Sequence, residues 1–176
     1  VPGGLSFYSS SADDVLAEEF VVTGSRRLQH DFISECATHE EVLHMGRHFA
    51  AEAESGWDFN PRFCRRCEDF YPVDLNANLY HYERLMEKFS LILNRGEEHL
   101  WASRAERRKE RIEMLMKGED GLFYDYDYKT GQKSDVVSAA VFNLLAAGVL
   151  EAQEAQSLVE EGLDRLECRY GLSMCA

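Results

Sequence analysis

Between Ser55 and Phe63 the chain reads S-G-W-D-F-N-P-R-F, which puts an indole, a carboxyl and a guanidinium within six positions, Trp57 to Arg62, just after a helix end. Carbohydrate chemistry needs this mixture. An aromatic face packs on the apolar face of a pyranose, charged groups take its hydroxyls, and a sheltered carboxyl can stay protonated for general acid work. Gly56 lets backbone approach a ligand closely. Trp57 alone would read as a core residue, and it is the clustering that makes it a candidate. Farther on, Pro72-Val73-Asp74-Leu75-Asn76 opens a helix, with Asp74 and Asn76 too early to be core residues. Asp74 reads best as a first-turn acid complementing the helix dipole. Asp125 and Asp127 in Y-D-Y-D-Y would share one face of an extended segment and read best as loop carboxylates at a solvated edge.

Two other groupings could hold a metal. Cys64 and Cys67 bracket two arginines as C-R-R-C, but a zinc site needs four ligands and the remaining pair, Cys168 and Cys175, is spaced too widely for a zinc module. His44 and His48 lie four apart, with Glu41 and Glu52 on adjacent turns, and read as solvated helix residues. No metal is expected. Five cysteines make an odd count without the spacing of a disulfide scaffold, so a reducing, cytoplasmic location is expected.

Helices must carry these groups. Ser11 or Asp13 can cap a first helix through Phe20, which Thr23-Gly24-Ser25 should break. Arg26 to Glu54 keeps helical spacing of its apolar residues, as two helices meeting near Thr38, and Ser55 to Tyr71 is a long loop of the kind that is usually functional. Pro72 suits a helix start, and Leu75, Leu79, Tyr82, Leu85, Met86, Phe89 and Leu93 form an apolar stripe to about Asn94. Glu97 to Lys117 is the next helix. Leu122 to Tyr128 alternates with period two and K-T-G-Q turns it back. Ser134 or Asp135 caps a nearly all-apolar helix through Ala147, and Glu151 to Cys168 is amphipathic. The expectation is an all-α chain, residues 1–176 as a single helical domain of about six helices in antiparallel hairpins, with 1–11 as a flexible tail.

Composition narrows the partners. The 176 residues carry 32 acidic and 19 basic side chains, a formal charge of −13, with 45% hydrophobic residues and three prolines. That is globular, and it repels phosphate backbones and anionic headgroups, so neither nucleic acid nor membrane is an expected partner. The basic run Arg104 to Arg111 alternates with Glu106 and Glu110 and reads as a salt-bridged helix face. Val136 to Leu150, broken by Asn143, is shorter than the roughly 20 residues of a membrane span.

Taken in order, S-G-W-D-F with Arg62, P-V-D-L-N-A at Pro72 to Ala77, W-x-x-R-A-E-x-R at Trp101 to Arg108, F-Y-D-Y-D at Phe123 to Asp127 and the S-A-A at Ser138 resemble the successive signatures of α,α-trehalases. The likeness runs from about Asp31 to Ala176. It implies part of an (α/α)6 toroid that hydrolyses trehalose, or a related disaccharide, by inversion and without a cofactor. By the same likeness Asp58 takes the place of the general acid and Gly56 that of a substrate contact. Trp57, Arg62 and Asn76, in the same signatures, are taken as substrate-binding. An inverting enzyme also needs a second carboxylate about 6.5–9.5 Å away to activate water. The Gln-Trp-Asp and Pro-Asn-Gly-Trp signatures beside that base do not occur in this sequence, nor does an Arg-Pro-Glu before the acid loop. The expectation is a trehalase segment with the acid and without the base, inactive alone. Its unfinished ring should drive it to a homo-oligomer or to a complementing polypeptide. The alternative is a non-catalytic helical binding or assembly domain on the same scaffold.

Overall fold

The computed structural model describes residues 4–176. The chain divides into two compact units, one of Phe7–Phe70 and one of Tyr71–Ala176 together with the leading segment through Ser6. The two-residue strand β1 (Phe70–Tyr71) lies at the boundary in sequence.

In the first unit, α1 (Asp14–Leu28) starts at Asp13, whose carboxylate accepts the Leu16 N–H at 2.9 Å. A 3-10 turn, Ile33–Glu35, follows, and then α2 (His39–Ser55). Thr38 caps α2 by accepting the Glu41 N–H at 3.2 Å, while the Glu41 side chain reaches back to the Ala37 N–H at 2.7 Å. The expected break at Thr23-Gly24-Ser25 is not there. Gly24 keeps helical backbone, and its missing side chain makes room for Phe49 of α2, whose ring would lie 3.1 Å from an added Cβ. Gly46 plays the same part from the other side. A Cβ there would fall 2.0 Å from the Ala17 carbonyl oxygen. Val21, Phe32, Val42 and Phe49 form the core between these elements.

In the second unit, Pro72 precedes α3 (Val73–Ile92), which packs on α4 (Glu98–Met116). Ala77, Tyr80, Ala105, Ile112 and Met116 are buried there. The apolar stripe of α3 is only partly used: Tyr82, Met86, Phe89 and Leu93 are between 40% and 62% exposed. The basic stretch of α4 is salt-bridged, but to partners on other elements and not to its own alternating acids: Arg108 on Glu83, Lys109 on Glu151, and Glu106 taken by Arg84.

Strands β2 (Tyr126–Asp127) and β3 (Gln132–Lys133) form a hairpin with Tyr126 opposite Lys133. Asp127 closes its turn by accepting the N–H groups of Lys129 and Thr130. Neither aspartate of Y-D-Y-D-Y lies at a solvated edge. Both are buried, and Asp125 accepts the Val73 N–H at 2.8 Å.

The apolar run expected as one helix from Ser134 splits into a 3-10 turn, Ala139–Phe142, and a short α5 (Asn143–Ala147). Its start is instead extended, because Val137 exchanges both backbone hydrogen bonds with Ala176, and the Ala139 N–H goes to Met174. After α6 (Ala152–Leu166), the small hairpin of β4 (Glu167–Cys168) and β5 (Gly171–Leu172) closes the chain. Of the expected tail 1–11, residues 1–3 lie outside the described residues. Leu5 is buried, Ser6 is bonded to Asn76, and the Ser10 N–H donates to Glu68 at 2.7 Å, so the segment is pinned from Leu5 onward.

Candidate active site

The acid loop begins where α2 stops. Gly56 is the C-cap, with φ +75°, a left-handed conformation that favours glycine, and its N–H closes the last turn on Ala53. Ser55 Oγ donates to the Glu52 carbonyl and accepts the Trp57 N–H at 3.0 Å. Asn60 then folds the loop on itself: its Nδ2 donates to the Trp57 carbonyl at 2.6 Å, and its Oδ1 accepts the Arg62 N–H at 2.8 Å. Phe59, Cys64 and Arg65 all take positive φ, so the loop is held in a conformation that few side chains adopt freely.

Asp58 projects from this loop, exposed, and Gly56 is exposed beside it. Trp57 is half-buried against the cluster of Ala51, Phe63, Cys67 and Phe70. Arg62 is fully enclosed. Its guanidinium carbon lies 4.8 Å from the Trp57 ring and 4.6 Å from the Phe63 ring, a cation between two π faces. Loop and helix end therefore bring Gly56, Trp57, Asp58 and Arg62 together.

Glu52 is the residue that sequence reasoning undervalued. It is 3% exposed, and burial first, then the charge of Asp58, pushes its carboxyl up to about 7, against the opposing effects of the Phe59 N–H and the Arg65 guanidinium. The available signal was its position six residues before Asp58, on the last turns of α2.

Asn76 belongs to the other unit and is also fully enclosed. Its Oδ1 accepts the Ser6 N–H and Arg108 Nη1, both at 2.9 Å, and its Nδ2 donates to the Ser6 and Pro72 carbonyls. The expectation that Asp74 and Asn76 lie too early in α3 for burial fails, because the Leu5–Ser6 segment and the Asp125 carboxylate cover this first turn.

His48 is buried too, rather than solvated. Its Nδ1 accepts the Glu68 N–H and its Nε2 lies 3.2 Å from Nε2 of the exposed His44. Burial, reinforced by His44, pushes the His48 imidazole down in pKa, against Asp69 and Glu68. No group of three or more His, Cys, Asp or Glu side chains converges in a metal-holding geometry among the described residues. Cys64 is exposed while Cys67 is buried in the Trp57 cluster.

Comparison with known proteins decides the family: the trehalase family model matches residues 17–175. The chain belongs to the trehalase family. Its curated relatives include the cytosolic neutral trehalase of Kluyveromyces lactis, 35% identical over 133 residues, which are 69% of this chain and 18% of that protein. The periplasmic trehalase of Xanthomonas campestris pv. campestris is 30% identical over 156 residues, 84% of this chain and 28% of that one. Among solved structures, the neutral trehalase Nth1 from Saccharomyces cerevisiae matches with a TM-score of 0.79 and 25% identity, covering 100% of this chain and 37% of that one. The trehalase segment thus has the expected all-α architecture, and it spans only 18% to 28% of the length of the curated relatives named here. No helix of the described residues is long and apolar enough to cross a membrane.

Proposed function

We propose that this chain is the segment of an inverting trehalase that supplies the general acid, with Asp58 protonating the oxygen between the two glucose units of trehalose. One observation carries the reading: Asp58 stands exposed on a rigid loop whose cap, hydrogen bonds and Trp57–Arg62–Phe63 stack fix its position, in a chain that belongs to the trehalase family. Gly56, exposed beside it, and the half-buried Trp57 are the residues that touch the sugar. Arg62 and Asn76, expected to do so as well, act from inside, Arg62 by bracing Trp57 and Asn76 by fixing the start of α3. The water-activating carboxylate comes from residues outside this segment, so the chain alone does not hydrolyse trehalose.

The exposed stripe of α3 supports the second half of the reading. Apolar side chains at this density seek a partner, either a second copy or a polypeptide carrying the remaining helices. The odd count of five cysteines fits a cytosolic location, the one named for the Kluyveromyces lactis relative. A trehalose hydrolysis assay tests the proposal. The isolated chain should release no glucose; robust release abolished by Asp58→Asn overturns its need for residues outside the segment, and release that survives Asp58→Asn overturns the role of Asp58 as well.

A further inference from the structure

Glu52 carries one feature the acid loop does not use. Buried carboxyl oxygens are normally hydrogen-bonded. One oxygen of Glu52 takes the Phe59 N–H, but Oε1 accepts nothing among the described residues. The side chain borders a cavity of about 330 Å³, walled by Leu28, Phe49, Phe59 and Pro61 and edged by Asn60 and Arg65. Asp58 does not line it. Small-molecule sites are mostly apolar pockets of roughly 300–1,000 Å³ with a few placed polar groups, and this one lies at the small end.

Charge selects the occupant. A carboxylate or phosphate would meet the field of Glu52 and Asp58. An ammonium group would meet Arg65, which pairs with Glu35, and Arg27, whose guanidinium lies 5.3 Å from the Phe59 ring centre. A hydroxyl both donates and accepts, so it satisfies Oε1 whether the carboxyl is ionised or protonated. The Phe49 and Phe59 rings offer the apolar faces on which sugar C–H groups pack.

We propose that this cavity is a binding site for a neutral polyhydroxyl molecule of monosaccharide size, anchored through one hydroxyl on Glu52 Oε1. Because the other Glu52 oxygen holds the Phe59 N–H, occupancy also steadies the loop that carries Asp58. The site stands on its own geometry and does not depend on the hydrolytic reading.

Glucose titrated into the ¹⁵N-labelled chain tests it, with the amides of Phe59 and Asn60 as reporters and contacts from glucose C–H protons to the Phe49 ring as a second readout. Saturable shifts with those contacts are expected. Affinity should stay within a few-fold in Glu52→Gln, whose amide still donates and accepts, fall at least tenfold in Glu52→Leu, and be unchanged in Asp58→Asn. If Glu52→Leu does not fold, the Phe49 contacts in the native chain decide. Absence of saturable shifts or of Phe49 contacts, or equal affinity in Glu52→Leu, overturns the proposal. Loss in Asp58→Asn alone would put the sugar on the acid loop, ending this inference while leaving the hydrolytic one intact.

Discussion

Arg108 Nη1 donates to Asn76 Oδ1 at 2.9 Å, while Nε and Nη2 of the same guanidinium grip Glu83 at 3.0 and 2.8 Å. This joint ties two signatures, P-V-D-L-N-A and W-x-x-R-A-E-x-R. A third is fastened beside it, where Asp125 of F-Y-D-Y-D accepts the Val73 N–H. Three motifs that stand apart in sequence as trehalase-like signatures thus meet at the first turn of α3 as a single scaffold.

Removing the Asn76 amide should expose the cost of that joint. Asn76→Ala takes away the side chain that satisfies the Ser6 N–H and carbonyl and removes one of two partners each from Arg108 Nη1 and the Pro72 carbonyl, for a loss of about 2–4 kcal/mol. Urea unfolding should show the midpoint falling with the slope unchanged. A loss under about 0.5 kcal/mol would mean the joint carries little.

The glycines of α2 should separate by mechanism. Gly56→Ala keeps open space around the new methyl and should cost only about 1 kcal/mol, for a left-handed backbone. Gly46→Ala drives a methyl into the Ala17 backbone and should prevent α1 and α2 from packing, seen as lost cooperativity in thermal unfolding. Equal effects at the two positions would contradict the helix contact.

Glu52 sets a pH dependence with a definite sign. Its carboxyl titrates near 4.5 in the unfolded chain and at about 7 in the folded one, so the native state holds the proton more tightly. Stability is therefore fully present below about pH 4.5 and drains away as pH rises to about 7, by up to roughly 3 kcal/mol from this group. His48, whose imidazole is pushed down by burial, contributes oppositely, since the folded chain disfavours its charged form and loses stability as pH falls. Glu52→Gln should flatten the decline between pH 5 and 7 in denaturant titrations. An unchanged pH profile in that variant would contradict the burial assigned to it.

The exposed side chains of α3 should govern association. Phe89→Glu with Leu93→Lys should shift sedimentation of the chain toward monomer while leaving its helicity intact. A native chain that is already a monodisperse monomer at micromolar concentration would remove the case for self-association.

Much of this was legible in the residues. The cap at Asp13, the meeting of two helices near Thr38, Pro72 before α3 and the turn after Tyr128 mark element boundaries by local chemistry, which is why they survive in the structure. Gly24 misled because a glycine in a helix can mark a break or a close crossing, and only Phe49 from another helix decides which. The run from Ser134 misled because its start is claimed by backbone pairing with the far end of the chain, which periodicity cannot register. In the site, Gly56, Trp57 and Asp58 were visible as a cluster. The buried state of Arg62, Asn76 and Glu52 was not, since enclosure of a polar side chain depends on neighbours distant in sequence.

Trehalose hydrolysis followed by ¹H NMR tests the central claim most directly, on the chain alone and on the chain supplied with a polypeptide carrying the remaining helices of a trehalase domain. The account predicts no glucose from the chain alone, and one β-glucose with one α-glucose per trehalose from the pair, the inverted unit being the one that water attacks. Asp58→Asn should then lower the rate on the order of a thousandfold, within the range of general acid catalysis. Hydrolysis by the chain alone, or a pair whose rate is untouched by Asp58→Asn, would contradict it.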